Sequence, residues 1–295
     1  RRKMWIYQPW LDELGLDMPE TTAEFAEVLA AFRTQDPNGN GEADEIPLSG
    51  AIGGGPSVQI WPFIMNSFIY TDDANYLKVD DGEISFVADN DEWRAGLEYM
   101  RDLYDDGLID PQAFVQQGSQ LRQMGEAPTP IMGAVTALWW GNFTVHKGPS
   151  GRWEEYVALP PLEGPEGVRW ARTIPLQRLQ MRGAITSEAE EPRVITRFVD
   201  WFYSQEGTIS LFSGVPGEHW EWADAGKEGL TGEQAIYEKL VDEGSGPTRI
   251  AWRHIMPEYG STAIQNGIYV EDERDRWIRG RLDRTTRENY TEYRR

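Results

Sequence analysis

Apolar positions along the chain recur at two spacings, and each spacing predicts a kind of element. Met4 to Gln8 is a short apolar and aromatic run ended by Pro9, which predicts a buried strand. Phe25, Val28, Leu29 and Phe32 then repeat at i, i+3, i+4 and i+7 behind Thr21 and Glu24, a capping-box pair that predicts a helix start. A second helix is predicted from near Asn90, with Trp93, Leu97, Met100 and Tyr104 on one stripe and a stop at Gly107. Gly133 to Trp140 and Tyr156 to Pro161 predict strands, as does Gly183 to Ser187. From Pro192 a third helix carries Val194, Phe198, Trp201 and Phe202; Ser204 to Gly207 breaks it before a shorter one. The Arg-rich tail from Glu271 predicts a closing helix. Strands alternating with helices make this an α/β chain.

The Pro/Gly-rich stretch Pro160 to Gly167 is the best candidate for a linker or hinge. With 295 residues, 40% of them hydrophobic, there is material for two lobes. A formal charge of −21 argues against a nucleic-acid partner, whose binding rests on basic patches. Cysteine is absent, so disulfides, thiolate zinc sites and cysteine nucleophiles are excluded. The first residues, Arg1-Arg2-Lys3-Met4-Trp5, carry no apolar signal core.

Between the first helix and the next apolar run lies Asp36-Pro37-Asn38-Gly39-Asn40-Gly41-Glu42-Ala43-Asp44-Glu45. Asp36, Asn38, Asn40 and Asp44 occupy loop positions 1, 3, 5 and 9 of an EF-hand pattern, with Gly41 at the sharp bend and the Glu42 carbonyl at position 7. Calcium wants six to eight oxygens, and a tight turn with alternate residues pointing inward supplies them. The pattern departs at its end: position 12 is Pro47, so Glu45 at position 10 must close the shell. An unoccupied Asn/Gly surface turn is the competing reading, and a lone loop of this type points to a structural ion rather than a sensor.

Catalytic patterns are scarce. His146, His219 and His254 are dispersed, with no metalloprotease motif and no nucleophile elbow. Ser49 to Gly55 is Gly-rich but lacks the ending of a phosphate loop. A glycosidase needs only two acids about 5–10 Å apart, so a polysaccharide lyase or glycoside hydrolase with structural calcium stays open as the alternative. The thirteen tryptophans are the outlier. Indole and phenol rings stack on the C–H faces of sugars while acids, amides and arginines take the hydroxyls. Trp93 and Trp201, on helical stripes, read as core. Trp139-Trp140 at a strand end cannot both be buried on one face, so one points to a cleft. Trp61 before Pro62, Trp170 beside Arg169 and Arg172, and Trp220 in His219-Trp220-Glu221-Trp222 are further candidates.

Trp5-Ile6-Tyr7, Trp10 to Leu16, Pro19 to Phe25 and the Asp36 loop running into Ile46-Pro47-Leu48 resemble extracellular solute-binding proteins of family 1. The likeness is nearest to the lipoprotein branch serving oligo- and polysaccharide importers, which includes alginate-binding proteins. Gly107-Leu108-Ile109-Asp110-Pro111, Phe202 to Gly207 and Gly214 to Trp220 extend it in order along the chain. The resemblance implies a periplasmic-binding-protein-like α/β fold of two lobes with a hinge, one lobe here incomplete. Residues 1–163 would form a C-terminal-lobe segment with the calcium loop, 164–215 a segment of the N-terminal lobe, and 216–295 the return. It implies a non-enzymatic monomer, extracellular or periplasmic and lipid-anchored in full length, that passes an oligosaccharide to an ABC permease. It implies Ca2+ held by Asp36, Asn38, Asn40, the Glu42 carbonyl, Asp44 and Glu45. Trp139 and Trp140 fall where the family places a cleft aromatic. Family members begin with a signal segment and the first half of the N-terminal lobe, to which nothing here corresponds.

Overall fold

The computed structural model describes residues 3–53, 58–70, 76–80, 82–145, 148–170, 184–230, 232–240 and 267–269. They fall into two compact units, one up to residue 170 and one from residue 184.

The first unit runs β1 (Lys3–Tyr7), α1 (Gln8–Leu14), α2 (Thr22–Thr34), β2 (Ile46–Ser49), α3 (Trp61–Ile64), β3 (Leu77–Asp80), β4 (Glu83–Phe86), α4 (Asp91–Asp105), α5 (Gly118–Gly125), β5 (Met132–Ala137) and β6 (Tyr156–Leu159). Its four-stranded sheet has the order β2-β5-β1-β6. β2 and β5 are parallel, while β1 is antiparallel to both β5 and β6. Lys3 pairs with Ala137 and Met4 with Leu159, so the carboxyl ends of β2, β5 and β6 lie along one edge. β3 and β4 form a separate hairpin.

Strand β1 is buried from Met4 to Tyr7, as an apolar run in the middle of a sheet must be. The capping box of α2 forms in full: the Glu24 N–H donates to Thr21 Oγ1 (3.1 Å) and the Thr21 N–H donates to Glu24 Oε2 (3.0 Å). A second backbone donor, Glu20 N–H, also reaches that carboxylate, and these bonds hold its pKa below the ordinary value. Phe25, Val28, Leu29 and Phe32 are all buried on the face that α2 presents to the sheet. The approach is close enough that Gly133 in β5 has no room for a side chain; a Cβ there would sit 2.4 Å from the Phe32 ring. Gly133→Ala is therefore expected to destabilise the protein by about 1–3 kcal/mol through overpacking, read by urea unfolding.

Two predicted stripes come out differently. In α4 the covered residues are Trp93, Gly96 and Leu103, whereas Leu97 and Tyr104 are exposed. The face is turned because Gly96 lets the helix settle on Met65 and Phe68, whose atoms would lie 2.6 Å and 3.2 Å from a Cβ. Gly107, at φ +69°, ends the helix as expected. The strand predicted at Gly183 to Ser187 does not form in 184–187, which is exposed and has no strand partner among the described residues; two apolar residues alone cannot hold an extended ladder. The stretch 160–167 is bound to the first unit: Thr22 N–H donates to the Glu163 carbonyl and Glu163 N–H to that of Glu20. The predicted tail helix from Glu271 lies outside the described residues.

The second unit holds α6 (Pro192–Trp201), α7 (Gln205–Ser213) and a hairpin of β7 (Trp220–Trp222) with β8 (Tyr237–Lys239). Its core is Ile209, Trp220, Tyr237 and Ile268. Ser204 caps α7 by accepting from the Gly207 N–H (3.1 Å). Val194, Phe198 and Trp201, the predicted core stripe of α6, are exposed among the described residues; Phe202 just beyond is buried with Leu211.

Candidate functional site

In open α/β sheets ligands bind beyond the carboxyl ends of the strands. Each predicted tryptophan in the first unit lies on a segment leaving that edge: Trp61 after β2, Trp139 and Trp140 after β5, Trp170 after β6. These segments are tied to the sheet and to one another. Val58 O accepts from the Ala51 N–H (2.8 Å) and from Thr136 Oγ1 (3.0 Å), and the Trp170 N–H donates to Asn66 O (3.1 Å). Gly164 passes so near the Ser67 carbonyl that a Cβ would lie 1.8 Å from its oxygen.

Trp139 and Trp140 divide as the strand-end reasoning requires. Trp140 is 8% exposed and meets Trp5 edge-on at 6.0 Å and Trp153 at 5.8 Å. Trp139 is 41% exposed. Its ring lies over Gly141, where an added Cβ would come 2.4 Å from it, and Asn142 Oδ1 accepts from its backbone N–H (3.3 Å). With the exposed Leu138 and Val145 nearby in the chain, it offers an apolar platform at the end of β5.

Trp61 is half-buried in an aromatic group. Tyr76 stacks on it at 5.4 Å, Trp93 lies at 5.8 Å, and its Nε1 donates to Gln59 Oε1. Trp170 is partly exposed and meets Tyr70 edge-on. Trp220 has 0% exposure: it fills the core of the second unit and donates from Nε1 to the Gly214 carbonyl (3.0 Å), while Trp222 takes the exposed place. A ring so enclosed cannot stack on a ligand. Arg172 lies outside the described residues.

Sequence reasoning missed the groups that hold the edge in shape. Buried Ser49 donates from Oγ to Asp110 Oδ2 (2.8 Å), and buried Gln116 donates from Nε2 to Ser49 Oγ (3.1 Å) and the Gly50 carbonyl (2.7 Å). Gln116 O accepts from the Ile52 and Gly53 N–H groups, fixing the turn after β2. The Gly107-to-Pro111 block and the Gly-rich run from Ser49 each held part of this network, but neither pointed to the contact between them.

The Asp36 loop lies at the opposite, amino edge, where Ile46 N–H bonds to Ile131 O and Asn38 Nδ2 to Pro130 O. Asp36 anchors it: Oδ1 accepts from the Asn40 N–H (3.1 Å) and Oδ2 from the Gly41 N–H (2.9 Å). Asp36, Gly39 and Gly41 all have positive φ, which curls the chain around this carboxylate. Asn38 and Asn40 donate from their amide nitrogens to Asp44 (2.9 Å and 3.2 Å). Glu45 Oε1 is buried with no hydrogen-bond partner, and burial, reinforced by Asp36 and Asp44, raises its pKa. No cluster of three or more acidic or imidazole side chains able to hold a metal occurs among the described residues. A hard cation here would need amide and backbone oxygens beside the carboxylates of Asp36, Asp44 and Glu45, with the Asn38 and Asn40 amides released from Asp44. A cation would answer the orphaned Glu45 oxygen and the crowding of negative charge.

A mixed α/β sheet with aromatic loops at its carboxyl edge is the arrangement of a periplasmic-binding-protein-like fold. The model for bacterial extracellular solute-binding proteins matches residues 1–209, and the chain belongs to that family. It is 36% identical over 216 residues to the fructooligosaccharide ABC transporter substrate-binding protein FusA of Streptococcus pneumoniae, covering 72% of this chain and 38% of FusA. It is 25% identical to lipoprotein LipO of Bacillus subtilis over 96% of this chain and 54% of LipO. The chain thus spans about half or less of these relatives. FusA solved with kestose superposes with a TM-score of 0.66 at 27% identity, over 99% of this chain and 57% of FusA; an EF-hand mutant of FusA, solved with fructo-nystose, gives 0.65 at 26%.

Proposed function

We propose that this chain belongs to the substrate-binding component of an ABC importer, taking an oligosaccharide at the carboxyl edge of its sheet. The observation that carries the reading is the exposed Trp139 ring over Gly141 at the end of β5, on the edge where α/β sheets bind ligands. Fructo-oligosaccharides are the first class to test, given the likeness to FusA. Residues 1–163 are assigned to the C-terminal lobe, with closure about a hinge delivering sugar to a permease; the boundary expected at 215 falls inside the second unit, whose core joins Ile209 to Trp220, Tyr237 and Ile268. The protein is read as extracellular or periplasmic and lipid-anchored, as the name of LipO supports.

The Asp36 loop is read as a calcium site of Asp36, Asn38, Asn40, the Glu42 carbonyl, Asp44 and Glu45. It lies at the edge away from the tryptophans, so its part is to brace the junction of α2 and β2 rather than to touch sugar. Asn38 and Asn40 must turn their oxygens inward, giving up their bonds to Asp44.

Thermal melting with kestose, longer fructo-oligosaccharides, maltodextrins and alginate oligomers tests the sugar reading. A ligand at a hundred times its Kd stabilises by about 2.7 kcal/mol, which raises Tm by several degrees. No shift with any sugar at millimolar concentration sinks it.

A further inference from the structure

Trp61 was the aromatic the sequence singled out after β2, yet its ring is already engaged. Tyr76 lies parallel to it (26° between planes, 5.4 Å), Trp93 is tilted against it at 5.8 Å, and Gln59 accepts from its Nε1. A ring in that position serves as a backing plate. Tyr76 is the outer ring of the stacked pair: 38% exposed, backed by Trp61 and bordered edge-on by Trp93 at 5.6 Å and by the exposed Phe86 at 6.4 Å.

The backbone at Tyr76 is unusual as well. Its φ of +55° is left-handed, a conformation in which bulky side chains are disfavoured. The Tyr76 carbonyl is fixed by accepting from the Val87 N–H (2.8 Å), so the turn is held where the hairpin meets α4. Glycine or asparagine would fit that turn with less strain. A large ring kept there, with surrounding rings bracing it, points to a use for its open face.

From this geometry we infer that Tyr76, not Trp61, is the sugar-stacking ring on the β2 side of the site, and that Trp61 acts through it as a positioning residue. The open face of Tyr76 takes the C–H face of one sugar ring, as Trp139 does on the β5 side. The inference rests on the sugar reading above.

Kestose binding by the full chain, followed by calorimetry, tests it with Tyr76→Gly and Tyr76→Asn, both suited to a left-handed backbone. Each is expected to weaken binding roughly tenfold, about 1.4 kcal/mol, with the melting transition retained. Tyr76→Phe keeps the stacking face and is expected to stay near the parent; Trp61→Leu, removing the backing plate, should weaken binding and lower Tm together. Parent-like affinity in Tyr76→Gly and Tyr76→Asn, alongside weakened binding in Trp139→Ala, overturns the assignment of Tyr76 alone. Failure of the parent to bind any sugar of the panel overturns the sugar reading, and this inference with it.

Discussion

Replacing Glu45 by glutamine is expected to raise the melting temperature in chelator and to lower it in calcium, a reversal that a purely structural glutamate would not produce. Without metal the Glu45 carboxylate is a liability: Oε1 is buried without a partner, and Asp36 and Asp44 add negative charge beside it. The raised pKa gives the pH dependence. Below the ordinary carboxylate value the group is protonated in both folded and unfolded chains and costs nothing. As pH rises through the raised folded value, the folded state must accept a disfavoured charge, so the metal-free protein loses stability. The gain from Glu45→Gln in chelator is therefore present at neutral pH and disappears as pH falls below the carboxylate range. With calcium at a thousand times its Kd, the native protein gains about 4 kcal/mol, on the order of 10 °C in Tm, and the variant forfeits most of it. Calorimetric scans of both proteins in calcium and in chelator, at neutral pH and near pH 4, decide the matter. Identical scans in calcium and chelator for the parent would remove the calcium site.

The adjacent tryptophans should separate stability from binding. Trp140→Ala removes a buried ring from the group formed with Trp5 and Trp153, and is expected to cost about 3–5 kcal/mol, read by denaturant unfolding. Trp139→Ala removes a ring already 41% exposed, so its cost in stability should be small, while sugar affinity falls by roughly tenfold or more. The reverse result, with Trp139 stabilising and Trp140 binding, would mean that the ligand approaches from the other side of β5.

Much of the fold was legible because local rules and tertiary needs agreed. The capping box at Thr21 and Glu24 formed as written, since its hydrogen bonds lie within four residues and need no distant partner. Strand β1 was legible from an apolar run too continuous for a surface. The face of α4 was misjudged because spacing places Leu97 and Tyr104 beside Trp93 equally well; Gly96, by letting the helix approach Met65, decided which side is covered. The strand predicted after Gly183 failed in 184–187 because pairing depends on a neighbour that the local sequence does not reveal.

The candidate site divides in the same way. The Asp36 loop was legible from its own ten residues, whose oxygen-bearing side chains fall at alternate positions and whose Gly39 and Gly41 take the positive φ that its curvature needs. The sequence by itself also determined that Trp139 and Trp140 must face apart, because side chains alternate along a strand. Tertiary packing alone settles that Trp140 is core and Trp139 exposed, that Trp220 is enclosed, and that Tyr76 stacks on Trp61. Which face of a ring stays open depends on neighbours far away in the chain, and those are brought together by packing, not by spacing.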